Sequence, residues 1–387
     1  MPFVSDFHVS SLLAAARRET GLDDFGDPSF ADGLEALAGA LDREAGLSAG
    51  GSQAYQAQLV GYLAERLRIE DWYRRRPEID AEQVRAPLFV TGLPRTGTTA
   101  LSNLLAQDPQ TRSLRFWESQ RPTPPPESAT YESDPRIALG DAALAAMKQA
   151  APDLAKMHDD TGASPTENQD LLGQHFATQH FEGQANIPSY LRWWLGCDMT
   201  HAYRHHLRVL KLLQWRCPAT RWNLKSPPDL CCLEGLVAVY PDVRIIWTHR
   251  DPAKVLPSVC RLIGIVRSLF SERIDPIALG RGELELWAEA ARRGLAFRKQ
   301  HGEAAIVDVF MDDLVARPIE TVAGLYDRLG LELGPAAERG MRAWLAANPQ
   351  HKHGALQHRL EEFGLDLPRV RDAFREYTAH FDLRLEA

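Results

Sequence analysis

Residues 92 to 99 read GLPRTGTT and follow directly on the apolar run Leu88-Phe89-Val90. A short buried strand ending in a glycine-bearing turn, with TGTTALSNLLAQD beginning a helix, is the strand–loop–helix unit of a P-loop. Gly92, Gly97 and Thr99 fall on the glycine and hydroxyl positions of G-x-x-x-x-G-K-[ST]. Thr98 stands where the lysine belongs, and Arg95 is the only cation in the loop. Glycines at both ends allow the backbone to turn so that successive N–H groups point inward. Those donors and the positive end of the following helix make an anion site without a lysine. Arg95 adds a planar fork of donors, and Thr98 and Thr99 add hydroxyls.

The missing lysine narrows the anion. Nucleotide hydrolases use that lysine with Mg²⁺ to span the β- and γ-phosphates. A ligand with one phosphate at its 5′ end has no such chain to clamp and suits this loop better.

Later apolar runs predict further strands at Arg221–Leu224, Val243–Thr248 and Ala305–Val309, each followed by a helical segment. Strands alternating with helices imply an α/β fold, a parallel sheet with helices on both faces. Ligands of such sheets bind beyond the carboxyl ends of the strands. GLPRTGTT, LKSPPD and HRDP each follow a predicted strand, so all three should converge on one crevice. Before Pro87, leucine and alanine recur at helical spacing between breaks such as GLDDFGDPSF and GLSAGGS, which predicts three helices. The expected organisation is an N-terminal helical extension over 1–84 and an α/β domain over 85–387, with a helical insertion at about 137–215 and a helical tail at 335–387. Arg74, Arg75 and Arg76 read as a solvated helix end.

Arg250 of WTHRDPAKVLPS ends a predicted strand, and Asp251-Pro252 is a helix start. Pro257 cannot donate a backbone hydrogen bond, which predicts a kink or restart there, with Ser258 near a fresh helix start. Arg250 and Ser258 could then grip a second phosphate. The alternative pairs Arg250 with Asp251 and leaves Ser258 satisfying the kink.

A loop such as PRTGTT after the first strand, then HRDP with a serine eight residues past the arginine, resembles the sulfotransferase family. The family's loop is usually K-S-G-T-T; here it is Arg95-Thr96-Gly97-Thr98-Thr99. The resemblance implies 3′-phosphoadenosine 5′-phosphosulfate (PAPS) as sulfuryl donor, with no metal. Its 3′-phosphate contacts would fall on Arg250 and Ser258. TGLDDFGDPSF, VFMDDLVARPIETVAGLYDRLGL and NPQHKHGALQHRLEEFGLD extend the likeness over most of the chain, in the manner of large bacterial members. The last stretch would place His351, Lys352, His353 and Gly354 over the nucleotide, in the part of the family's R-K-G loop. The donor carries about four negative charges, which Arg95, Lys225, Arg250 and Lys352 would meet with charge-assisted hydrogen bonds.

Two departures matter. Ala100 replaces the tryptophan that stacks on adenine in cytosolic members, which turns the expectation to Trp117 or Trp222. LKSPPD supplies Lys225 but puts Pro227 where those members carry a catalytic histidine. Lys225 is then the group for charge developing on the bridging oxygen. The base is Glu167, in SPTENQDLL, or else Asp229, Asp170 or His158. Tyr190, Trp193 and Trp194 read as core rather than as walls of an acceptor pocket.

Composition trims the other classes. A formal charge of −8 disfavours a phosphate-gripping nucleic-acid binder. No stretch of about 18 apolar residues occurs, so no membrane span is expected. The first residues lack a basic segment leading into a sustained apolar one, so no signal peptide is expected. Five cysteines without metal-like spacing fit buried thiols in the cytoplasm. The expected partner is a small-molecule acceptor with a hydroxyl or amine, and oligomeric state has no signature here. The rival functions are a Mg²⁺-dependent nucleotide kinase or NTPase with a degenerate loop, for which Asp308 is the nearest metal-holding aspartate, and a non-catalytic nucleotide-binding module.

Overall fold

The computed structural model describes residues 7–156, 160–349 and 359–385. Five parallel strands form one sheet: β1 Leu88–Gly92, β2 Thr111–Ser113, β3 Arg221–Lys225, β4 Arg244–His249 and β5 Ile306–Phe310, in the order β2-β3-β1-β4-β5. β1 lies between β3 and β4 with Val90 opposite both Lys225 and Ile246. The chain leaves β1 toward one edge and returns through β3, then continues to β4 and β5 on the other side. That reversal opens the crevice at the tip of β1.

Side chains alternate across β1, as strand geometry requires. Leu88 and Val90 join Ile246 and Val309 in a core on one face; Phe89 joins Ile245 and Trp247 in a larger core on the other. Every residue of β1 is buried, so the strand reads as a continuous apolar run.

α1 Val9–Thr20, α2 Phe30–Glu44 and α3 Ala49–Arg75 precede the sheet and bury their apolar stripes in the Phe89-side core. α4 Thr98–Leu105 follows the loop and packs beneath Leu88 and Val90. Between β2 and β3 come α5 Phe116–Gln120, α6 Pro135–Ala150, α7 Gln169–Gly173, α8 His180–Gln184, α9 Pro188–Gly196 and α10 Thr200–Gln214. α11 Leu233–Val239 joins β3 to β4; α12 Pro252–Ser268 and α13 Pro276–His301 join β4 to β5. α14 Met311–Ala316, α15 Pro318–Arg328, α16 Pro335–Ala347, α17 Leu367–Ala373 and α18 Arg375–His380 complete the chain. Asp134-Pro135, Asp251-Pro252 and Asp275-Pro276 start α6, α12 and α13 in one way: the carboxylate accepts from a first-turn N–H, and proline takes the first helical position.

Three sequence expectations need correction. β2 was not foreseen, because Thr-Arg-Ser carries no apolar signal and its half-buried residues pair only with β3. α12 runs through Pro257 without a restart, since a missing N–H in the second turn costs a single rung of the ladder. Trp117 and Trp222 are both buried and cannot wall an adenine. Trp117 lies under the Arg136 guanidinium, 4.3 Å from its ring centroid. Trp222 sits near the start of β3, remote from the loop end, with its indole donating to Gln214.

Tyr190 and Trp194 are core residues, as read from the sequence, and Trp193 is half-buried. Arg74 and Arg75 are exposed and paired with Asp71 on their own helix. The cysteines are free thiols, and all but Cys197 are buried. Among the described residues no helix is long and apolar enough to cross a membrane.

Candidate active site

The loop after β1 is curled by three left-handed residues: Gly92 at φ 137°, Arg95 at 65° and Gly97 at 92°. A Cβ on Gly92 would sit 2.6 Å from the Thr248 carbonyl oxygen, so the approach of β1 to β4 requires glycine there. Arg95 is the exception, a bulky residue held in a region that costs about 1–3 kcal/mol. Strain of this kind collects at functional sites. The Thr96 hydroxyl faces inward and pins the loop, donating to Leu93 O at 2.6 Å and meeting Thr248 Oγ1 at 2.6 Å. Thr96 therefore offers an anion its amide rather than its hydroxyl. Thr98 is nearly covered, whereas Thr99 is half-exposed at the start of α4.

Arg95 reaches across to α12. Its Nε donates to Ser258 Oγ at 3.1 Å, while Arg250 Nη1 donates to the Arg95 carbonyl at 3.1 Å. The two arginines and the serine thus form one connected group at the tips of β1 and β4. Among the described residues neither arginine has a carboxylate partner. The neighbouring Asp251 caps α12 through Ala253 N and takes a two-pronged grip from Arg371 of α17, so the Arg250–Asp251 pairing considered above does not form. Burial, and then the nearby Arg250 charge, depress the Arg95 guanidinium below its ordinary range. Two like charges held together in a part-buried crevice are costly unless an anion joins them.

A second group lies at the other end of the loop. Lys225, the last residue of β3, directs Nζ to Glu167 Oε1 at 2.8 Å and to Thr99 Oγ1 at 3.3 Å. The backbone supports this placement: Asn168 N donates to Lys225 O, and Ser226 N donates to Val90 O. Gln169 Nε2 donates to the other Glu167 oxygen. The loop residues 95–99 therefore bridge the Arg95–Arg250–Ser258 group and the Lys225–Glu167 group.

The rival bases are placed differently. Asp229 is buried, accepting from Tyr203 Oη at 2.9 Å and Asn168 Nδ2 at 3.2 Å, and burial raises it to about 7. Asp170 is bound by Tyr62, Ser119 and Gln120. His158 lies outside the described residues, as do His351, Lys352, His353 and Gly354. Asp308 is held by His249 at 2.9 Å and by Arg298, which together lower its carboxyl against the opposing effect of burial. Among the described residues its side-chain contacts are with those two groups and none is with the loop.

Gln169 was missed by sequence reasoning, although it stands two residues from Glu167 in TENQD. Thr248, which locks the loop through Thr96, carries no local signal and emerges only when β1 and β4 pair.

The sequence matches the sulfotransferase family over residues 87–335, which spans β1, the loop, Lys225, Arg250 and Ser258. No curated protein matches the chain. Among solved structures, sulfotransferase STF9 from Mycobacterium avium superposes with a TM-score of 0.90 at 29% identity, covering 100% of both chains. Sulfotransferase STF1 from Mycobacterium tuberculosis H37Rv superposes with a TM-score of 0.86 at 32% identity, over 96% of this chain and 100% of that one. The glycine-bearing loop, the arginine–serine pair facing it and these likenesses agree: the chain belongs to the sulfotransferase family.

Proposed function

We propose that this enzyme transfers a sulfuryl group from 3′-phosphoadenosine 5′-phosphosulfate to a hydroxyl or amine acceptor. The observation that carries the reading is the contact between Arg95 and Arg250, two arginines without carboxylate partners among the described residues, facing Ser258. A donor with phosphates at both the 5′ and 3′ positions suits that set. The loop amides and Arg95 would hold the 5′ end, and Arg250 and Ser258 the 3′-phosphate. Lys352 and Gly354 would close over the nucleotide, by the family resemblance.

The chemistry then needs in-line geometry, a proton acceptor and positive charge at the leaving oxygen. Glu167 takes the proton from the acceptor hydroxyl as its oxygen bonds to sulfur. Lys225 stabilises the charge left on the bridging oxygen as the old S–O bond breaks. The products are the sulfated acceptor and adenosine 3′,5′-bisphosphate, and the proton passes from Glu167 to solvent. The 2.8 Å contact between Lys225 and Glu167, with Lys225 also reaching Thr99 of the loop, supports the reading by putting a cation and a proton acceptor together at the loop end.

Thermal-shift and calorimetric titrations with adenosine 3′,5′-bisphosphate, ADP and AMP test the donor. The bisphosphate should bind most tightly and should lose that preference in Arg250→Ala. Equal binding of ADP, with Mg²⁺-dependent hydrolysis of ATP, would overturn the reading in favour of phosphoryl transfer.

A further inference from the structure

A cavity of about 260 Å³ lies between α6, α8 and α12. Its body is aliphatic, built from Leu144, Met147, Leu154, Leu262, Ile263 and Val266. Its polar lining is Lys148, Asp160, Gln169, Gln179, His180 and Gln184. Gln169 lines the cavity and donates to Glu167, so one side chain connects the cavity wall to the carboxylate that contacts Lys225. Gln184 is more than nine-tenths buried, and its carboxamide oxygen has no partner among the described residues. Its amide nitrogen is occupied by His180 at 3.0 Å.

The wall supplied by α6 is thin. Of its 16 residues only Gly140 is fully buried, and Leu139 and Met147 are 52% and 41% exposed. Below it, Ala151, Leu154 and Ile265 make a small satellite core separate from the two main ones. An apolar face with so little behind it is suited to admit and cover an apolar molecule.

We infer that this cavity is the acceptor pocket, and that the acceptor is a neutral, largely apolar alcohol or phenol of one or two rings. Size supports the limit, since a cavity of about 150 Å³ holds benzene and this one is larger but under twice that. Chemistry supports the class. The six aliphatic side chains would leave many of a sugar's hydroxyls unpaired, whereas a single hydroxyl can pair at the Gln169 end, one side chain from Glu167. The inference rests on the sulfuryl-transfer reading above.

The test separates the two. 2-Naphthol and a series of primary alcohols are titrated against the intact protein with and without adenosine 3′,5′-bisphosphate, and sulfation is followed with labelled PAPS; glucose and trehalose serve as polar comparators. The expected result is binding of one 2-naphthol per chain, kcat/KM rising about threefold to fourfold per methylene before a plateau, and at most 1% of that rate with either sugar. Ile263→Trp, which fills the cavity, should raise KM for 2-naphthol at least tenfold while bisphosphate affinity stays within about twofold. Ile263→Ala should accept a three-ring phenol that the parent rejects, a gain that misfolding cannot produce. Bisphosphate binding accompanied by sulfation of sugars but no binding of 2-naphthol would overturn the pocket and leave the function standing. Binding of 2-naphthol that Ile263→Trp abolishes, with no bisphosphate binding at all, would overturn the sulfuryl-transfer reading and keep only an apolar ligand site.

Discussion

Glu167→Gln is the perturbation that bears most directly on the proposed chemistry. The amide keeps the shape of the carboxylate and an oxygen for Lys225 Nζ, 2.8 Å away, but it cannot accept a proton from the attacking hydroxyl. A general base contributes about 10²- to 10⁴-fold, which at about 1.36 kcal/mol per decade is roughly 3–5 kcal/mol of transition-state stabilisation. The effect on folding should be far smaller. The Glu167 side chain is 32% exposed, so its ion pair is worth at most about 1 kcal/mol after solvent screening. In a chain of this size that corresponds to a fall in Tm of about 2 °C. Single-turnover quench with labelled PAPS and saturating acceptor reads the chemical step apart from product release, and calorimetry reads bisphosphate binding. The expected outcome is a loss of at least 100-fold in the single-turnover rate, with bisphosphate affinity and Tm nearly unchanged. A variant that kept more than about a third of the parent rate would refute Glu167 as the base and return the search to residues outside the described segments.

The remaining predictions concern the charge cluster, the loop and the buried acid. Lys225→Met should lower turnover by about 10²–10³-fold, with sulfated product and bisphosphate measured together; an unaltered rate would remove Lys225 from the leaving-oxygen role. Arg250→Ala should weaken adenosine 3′,5′-bisphosphate by about 10- to 150-fold, the value of a hydrogen bond to a charged group, and should leave AMP affinity almost untouched, since only the first ligand carries a 3′-phosphate. Gly92→Ala forces a side chain into the left-handed region and toward the Thr248 carbonyl at 2.6 Å, so it should cost at least 1–3 kcal/mol in denaturant titration; an unchanged midpoint would contradict the loop geometry. Burial raises Asp229 from an ordinary value of 3.8 to about 7. The folded protein then holds a proton that the unfolded chain releases, so this stabilisation is complete below about pH 4 and drains away as pH rises to about 7. The whole span is on the order of 4 kcal/mol. Unfolding free energies of the parent and Asp229→Asn, compared between pH 4.5 and 7.5, should converge or cross in that direction, and a difference that stays flat with pH would refute the assignment.

Where the candidate residues lie is largely legible in the sequence because they sit at strand ends, and buried parallel strands announce themselves as short apolar runs. Arg221–Lys225, Arg244–His249 and Ile306–Phe310 depart from the sequence reading by at most one residue at either end. The loop was legible for the same reason, since glycines spaced around Arg95 have few other uses at such a point. What could not be read depends on distance along the chain. Asp251 is claimed by Arg371, 120 residues away, rather than by the adjacent Arg250. Trp117 and Trp222 look available in a linear string, and only packing reveals Arg136 and Arg112 lying over their faces. Pro257 looked like a break because local rules weigh the lost N–H but not the surrounding helix that tolerates it. Gln169 gained meaning only once α7 brought it beside Glu167 and the aliphatic cavity.

The contact between Arg95 and Arg250 also bears on what happens after the reaction. On the proposed reaction the spent nucleotide would differ from the fresh one by a single sulfuryl group, while both of its phosphates, the features those arginines would grip, would remain. A site built to capture the one is therefore slow to surrender the other. The proposed reaction therefore predicts product inhibition and a burst before steady state, with a working rate that tracks how quickly the used nucleotide is cleared.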